Sequence, residues 1–324
     1  MVDFCKIMYK GLVKTIIQIV VSVILVYFAS KRVDLLGIFR SLLKVPPALI
    51  IFTLLYSIFS SFFSSWRWGL LILKNPKLKD ILFLIKCNYM AMFYSFFIPS
   101  SLSADLVRWM PLVKRYNGIS KTRLAASVVA DRLVGASAFF PLALISAIVG
   151  KVFKFNVPDY VVLVSGLGCL CIILLYLFMY YIDLFSRFER IHILGRVIGG
   201  IRKFKVQNGS IPLRVFTLSM VVQIVGIFPV WVRSLYLGAG ISLVAIYIFM
   251  PIISLVLMLP ISISGFGVRE QLYLFFFTQG GVSDEKVMLV SAFSYLANIM
   301  IALIGAAMVI PFPNFFRGLK KQLK

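Results

Sequence analysis

The sequence predicts an all-α integral membrane protein: a polytopic helical bundle of about eight main helices with two inverted helical-hairpin (re-entrant) repeats. Three observations carry this prediction. First, 61% of the 324 residues are hydrophobic and the mean hydropathy is +1.00, whereas a soluble domain is about 45–50% apolar. Second, apolar runs of membrane-crossing length alternate with short, mostly basic connections. Third, a ten-residue stretch occurs twice, Pro99–Arg108 and Pro260–Arg269, and both copies read P-x-S-x-S-x-x-x-V-R. Pro, both Ser, Val and Arg match at one offset, where average residue usage gives roughly one chance match. Paired interruptions of apolar segments in two halves of a membrane chain point to a transporter's binding site.

In chain order, Lys6, Lys10 and Lys14 precede an apolar run from Thr15 to Ala29. No small-residue cleavage site follows, so the run is expected to be a first transmembrane helix rather than a signal peptide. Residues 31–44 are expected to form a short polar loop. Pro46 and Pro47 open a second span to about Ser65, with Trp66 and Trp68 as interface anchors. A basic turn at Lys74–Asp80 leads to a third run, Ile81–Ile98, and then to the first motif copy. Further spans are expected at Leu124–Val149, Tyr160–Tyr181, Pro212–Leu237, Ile241–Leu259 and Val287–Ile310. The segment 183–211 alternates apolar residues at helical spacing with arginines and lysines, so an amphipathic helix on the membrane surface and a solvated loop are both open. The whole chain, 1–324, is expected to form a single membrane domain, with repeat 1 at about 81–149 and repeat 2 at about 241–310.

Charge sets the expected topology. Lys+Arg number 34 against 11 Asp+Glu, a formal net charge of +23. In so apolar a chain this points to anionic lipid headgroups and the positive-inside rule, not to nucleic acid. With a cytoplasmic N-terminus and each motif at a hairpin tip, the basic segments 66–80, 108–123, 183–211 and the C-terminal tail fall inside. The loops 150–159, 236–240 and 280–286 fall outside; only 31–45 is basic and outside. The two hairpins then open to opposite sides, which is inverted topology. The expected location is the cell inner (cytoplasmic) membrane, multi-pass, with both termini cytoplasmic.

The motif itself suggests an anion site. Proline ends the lead helix. Ser103 and Ser264 are expected to cap the returning helices, with Ser101 and Ser262 beside them, and Gly265 and Gly267 let the second tip turn tightly. A helix N-terminus within the membrane presents free N–H groups and the positive end of a dipole. Arg108 and Arg269 follow five residues past the second serine, and two such ends would form a pocket for a phosphate. The alternative is that Arg108 pairs with Asp105 or Asp131, and Arg269 with Glu270, as internal salt bridges. Asp131-Arg132 is either part of the site or purely structural. The single histidine, His192, makes a histidine metal site or a Ser-His-Asp triad improbable. Cys5, Cys87, Cys169 and Cys171 form no CxxC motif and are expected to pack as small apolar residues. No cofactor, metal or catalytic residue is expected.

Two stretches, IPSSLSADLVRW…KTRLAASVVADRLVG up to Gly135 and LPISISGFGVREQ…GVSDEKVMLVSAFSYLANIMIALIGA up to Ala306, resemble the two signatures of the lysylphosphatidylglycerol synthase membrane-region, or flippase-like, family. The G-x-G-V-R-E piece is the more specific. At the first tip the chain departs from the family, with Ser100, Ser101 and Ser103 where relatives often carry glycines. The resemblance implies a membrane domain that moves an anionic lipid between leaflets, without the family's soluble synthase domain, because the sequence ends at Lys324. Its expected partners are membrane lipids with anionic headgroups; self-association is left open. Two alternatives remain from the sequence: a membrane glycosyltransferase using a polyprenyl-phosphate sugar, for which the outer-loop acids are Asp34, Asp159 and the Asp284-Glu285 pair, and an accessory subunit of envelope polysaccharide assembly.

Overall fold

A computed structural model describes residues 18–73, 75–97, 101–116, 118–155, 157–181, 211–259, 261–262 and 265–309. The expected surface segment 183–211 lies outside these residues save for Ile211, as do Pro99, Pro260 and Ser264, and Cys5. The described chain is helical without strands. We number its helices α1 (Gln18–Ser30), α2 (Leu35–Leu43), α3 (Pro47–Ile72), α4 (Leu78–Phe97), α5 (Ser101–Arg115), α6 (Lys121–Ser137), α7 (Phe139–Val152), α8 (Asp159–Tyr181), α9 (Ile211–Tyr236), α10 (Leu243–Met258), α11 (Val268–Phe277) and α12 (Asp284–Val309). Among the described residues, four segments are long and apolar enough to cross a membrane: Pro47–Ile72, Lys121–Val152, Leu213–Tyr236 and Asp284–Val309.

Local sequence explains the boundaries, and several differ from expectation. Residues 31–44 are not a plain polar loop. The Asp34 side chain accepts from Leu36 N–H at 3.0 Å and caps α2, an amphipathic helix of about two and a half turns whose apolar residues recur at helical spacing. The second span runs on to Ile72, and Trp68 is fully buried rather than an interface anchor. Its indole N–H donates to Ser127 Oγ at 3.2 Å, which satisfies the one polar atom of a buried ring. The span expected at 124–149 is two helices that share Ala138 as cap. Pro141 lacks the N–H that Ser137 would need and its ring crowds that carbonyl, so the helix breaks just before it.

Packing fixes how the helices run past one another. Leu49, early in α3, clusters with Val232 and Leu237 at the end of α9. Tyr56 stacks on Phe228 and donates to the Val225 carbonyl at 2.9 Å. Leu70 and Leu71, late in α3, meet Val215 and Leu218 early in α9. Low numbers meet high numbers throughout, so α3 and α9 are antiparallel. The most extensive helix contacts are α4 with α12 and α7 with α10. In the first, Gly305 lies so close to α4 that a Cβ there would come within 2.1 Å of the Tyr89 carbonyl oxygen.

The α4–α5 hairpin is closed at its base. Asp80 accepts from Tyr116 OH at 2.9 Å, from Arg115 at 3.3 Å and from Lys77 N–H at 3.1 Å. Burial, then the bond to Asp80, pushes the Tyr116 hydroxyl up to about 12, so it remains a protonated donor at physiological pH.

Candidate functional site

Two buried polar clusters form where the motif arginines meet the long helices. In the first, Asp131 of α6 is buried and its two carboxylate oxygens are shared between two arginines. Arg67 Nε of α3 donates to one oxygen at 2.9 Å, and Arg108 Nη2 of α5 donates to the other at 3.0 Å. The Arg108 guanidinium lies 4.2 Å from the Trp68 ring centre, a cation–π contact. Gly135 leaves room for Arg67, whose Nη1 would lie 3.1 Å from a Cβ at that position. Two guanidiniums bridged by one carboxylate satisfy the rule that buried charge is paired and hydrogen-bonded.

The second cluster is built around α11. This helix has 10 residues, so it is about 15 Å long, half the roughly 30 Å of a hydrocarbon core. It starts abruptly because Gly265 and Gly267 adopt φ of +80° and +81°, where other residues are strained. The helix is capped by Gly267 and Glu270; the expected cap, Ser264, lies outside the described residues. Glu270 is buried and fully engaged. It accepts from Gly267 N–H at 2.7 Å, from Ser291 Oγ at 3.0 Å and from Tyr295 OH at 3.3 Å. A carboxylate in the first turn also favours the helix dipole.

Arg269 sits in that first turn, and its guanidinium lies 4.4 Å from the Tyr295 ring centre. Tyr295 in turn stacks on Phe266 of the tip at 4.1 Å and 5°. Arg233, near the end of α9, reaches Ser294 Oγ at 3.4 Å and lies 5.7 Å from the Phe293 ring centre. Arg233 and Arg269 thus approach neighbouring residues of α12, Ser294 and Tyr295. Arg233 Nε and Arg269 Nη1 are buried without a hydrogen-bond partner among the described residues. No carboxylate lies within ion-pair distance of either arginine among those residues.

The structure separates the sequence candidates. Arg108 and Asp131 come together, whereas Arg269 and Glu270 do not form the salt bridge weighed as an alternative: neighbours on a helix diverge, and Glu270 turns back to its own cap. Arg132 is partly buried beside Asp131, and Ser262 is partly buried at the second tip. The backbone of Ser101, Ser103 and Asp105 is helical, while their side chains lie outside the description. Ser103 is therefore inside α5 rather than at its cap, and Arg108 lies two turns into its helix whereas Arg269 lies in the first turn. Helix is already present from Ser101 in the first motif copy, whereas in the second it starts only at Val268, after the two left-handed glycines. Arg67 and Ser294 are site members the sequence did not single out; Arg233 was visible only as a charge inside an apolar run. The signal was present for all three, since a charged or polar residue inside a span needs a partner.

The fold defines a polytopic helical membrane protein with two buried arginine clusters in its bundle. The family model described as "Lysylphosphatidylglycerol synthase TM region" matches residues 15–305, and the chain belongs to that family. Neither a curated protein nor a solved structure matches it.

Proposed function

We propose that the protein moves an anionic lipid between the leaflets of the cytoplasmic membrane, and that Arg269 is the residue on which the headgroup is held. One observation carries this reading. The Arg269 guanidinium stands at the start of a half-length helix inside the bundle, over an aromatic ring, with a buried nitrogen unbonded among the described residues. A helix N-terminus and a guanidinium together favour a negative oxygen there. The inverted arrangement supports transport. If α3, α4, α5 and α6–α7 correspond to α9, α10, α11 and α12, the α4–α12 contact exchanges with α7–α10. The antiparallel α3–α9 contact then maps onto itself, as a two-fold axis in the membrane plane requires. The two tips then face opposite leaflets, each reached from one side.

The acids on which the glycosyltransferase alternative rests sit in local contacts that weigh toward the transport reading. Asp34 caps α2, Asp159 pairs with Lys151, and Asp284 and Glu285 lie in the first turn of α12. The test is reconstitution in vesicles with a fluorescent phosphatidylglycerol whose outer-leaflet copies are quenched. Translocation by the wild type, its loss in Arg269→Ala and partial retention in Arg269→Lys support the reading, because lysine keeps the charge without the planar fork. Equal rates in wild type and Arg269→Ala sink it.

A further inference from the structure

The two clusters share a pattern that the motif alone does not reveal. Arg108 and Arg269 match by the repeated stretch. Arg67 and Arg233 each stand near the end of a 26-residue helix, α3 and α9. Asp131 is the eleventh residue of α6 and Ser294 the eleventh of α12. The offsets are 161, 166 and 163 residues. Each half therefore brings together an arginine from its long helix, an arginine from its returning helix and a polar residue from the following helix. In the first half that polar residue is a carboxylate, and it binds one arginine with each oxygen. In the second half it is a serine, and Arg233 reaches it at only 3.4 Å. Arg233 bonds Ser294 and Arg269 lies over the ring of Tyr295, the next residue of α12, and neither has a carboxylate partner among the described residues.

We infer that the second half takes its anion from the substrate: a phosphate group held between Arg233 and Arg269 occupies the place that the Asp131 carboxylate fills in the first half. This inference rests on the lipid-transport reading and adds its ligands and its charge requirement. A phosphodiester, like a carboxylate, offers two equivalent oxygens sharing one negative charge, so each oxygen can take a donor from a different arginine. Arg233, Arg269 and Glu270 sum to one positive charge, matched by one phosphodiester. Ser294, buried and donating to the Val290 carbonyl at 3.0 Å, supplies no competing charge. In the first half each arginine is already bonded to one oxygen of Asp131, so that half positions its helices and does not compete for the headgroup. The Arg67 Nη1 that makes no hydrogen bond packs against Gly135.

The decisive variant is Ser294→Asp, which installs in the second half the carboxylate that the first half already has. Purified protein in a non-ionic detergent is titrated with dihexanoyl phosphatidylglycerol and, separately, with inorganic phosphate. Binding is read by thermal shift and by calorimetry. Wild type is expected to bind saturably, and Ser294→Asp to bind at least about tenfold more weakly, a factor worth one well-placed charge contact. It should also unfold at a higher temperature without ligand, because its two arginines are now paired. Ser294→Asn, of similar size but uncharged, should lose far less, and Arg233→Gln should lose as much as Ser294→Asp. Binding sensitive to Ser294→Asp in the lipid arm assigns the phosphate to a headgroup; in the phosphate arm alone it assigns it to the free ion. Undiminished binding by Ser294→Asp, or equal losses in Ser294→Asp and Ser294→Asn, overturns the inference whatever the vesicles show. Wild-type protein that binds in this charge-sensitive way but moves no lipid in vesicles instead overturns the transport reading and leaves the site standing.

Discussion

Asp131 and Glu270 show how one chemical group serves different ends in the two halves. Asp131 holds two arginines from other helices, so it is a long-range cross-link between α3, α5 and α6. Glu270 holds a backbone N–H, a serine and a tyrosine, so it shapes a helix start and the wall beside it. Removing one partner of a buried pair leaves the other uncompensated. Asp131→Asn should therefore destabilise the protein by about 3–5 kcal/mol, seen as a large drop in unfolding temperature in detergent. Adding Arg67→Met should recover part of that loss, since one of the stranded charges is gone. If Asp131→Asn unfolds with the wild type, the bridge contributes nothing and the account of the first cluster is wrong. Glu270→Gln keeps the shape and an acceptor oxygen and strands no opposite charge, so it weakens its hydrogen bonds rather than removing all of them. A smaller drop in unfolding temperature than that of Asp131→Asn is expected.

Among the elements, α11 is the one whose start departs most from a plain membrane helix. It is short, its start is made by left-handed glycines, and α1 closes over it. Gln271 donates to the Leu25 carbonyl at 3.1 Å, and a Cβ on Gly267 would lie 2.5 Å from Leu25 Cβ and 2.9 Å from the Ser22 carbonyl oxygen. Gly267→Ala thus meets two obstacles, an unfavourable φ and a collision with the α1 backbone. A loss of about 2 kcal/mol or more is expected from backbone strain and overpacking together. Limited proteolysis should show it as earlier release of the segment before α2. Unchanged cleavage and unfolding would mean α1 does not press on the tip. Gly305→Ala should be at least as harmful, because its obstacle is the Tyr89 carbonyl of another helix and not a side chain that can turn aside.

At the scale of the whole molecule, the antiparallel α3 and α9 and the exchanged α4–α12 and α7–α10 contacts predict opposite accessibility for corresponding connections. The short turn around Gly118 follows α5, and the turn at Gly280–Gly281 follows α11. In intact cells a membrane-impermeant maleimide should label Gly280→Cys but reach Gly118→Cys only after the cytoplasmic side is opened. Labelling of both from the same side would contradict inverted halves. The native Cys171 supplies a built-in reference. It is exposed on α8 within an apolar face that includes Leu167, Leu170 and Leu174, so it should react with membrane-permeant reagents and resist impermeant ones.

Membrane residence, the helical class and the repeated motif were all legible in the sequence, because they depend on composition and on local rules. A bilayer core leaves backbone groups nothing but one another to bond with, so apolar runs of sufficient length become helices whatever their neighbours. Family membership followed from the same motifs. Helix boundaries were less legible where a single residue intervenes, as at Pro141 and Asp34, and the interface role expected for Trp68 gave way to burial against Ser127. The partners of the buried charges were decided only by tertiary structure. Arg67 and Asp131 are 64 residues apart, and Arg233 and Ser294 are 61 apart. Nothing in a local window says which charges will meet. That an aspartate answers the arginines in one half and a serine in the other becomes meaningful only when packed helices set the same three positions side by side. There the low dielectric of the interior makes a missing carboxylate a strong demand for an anion.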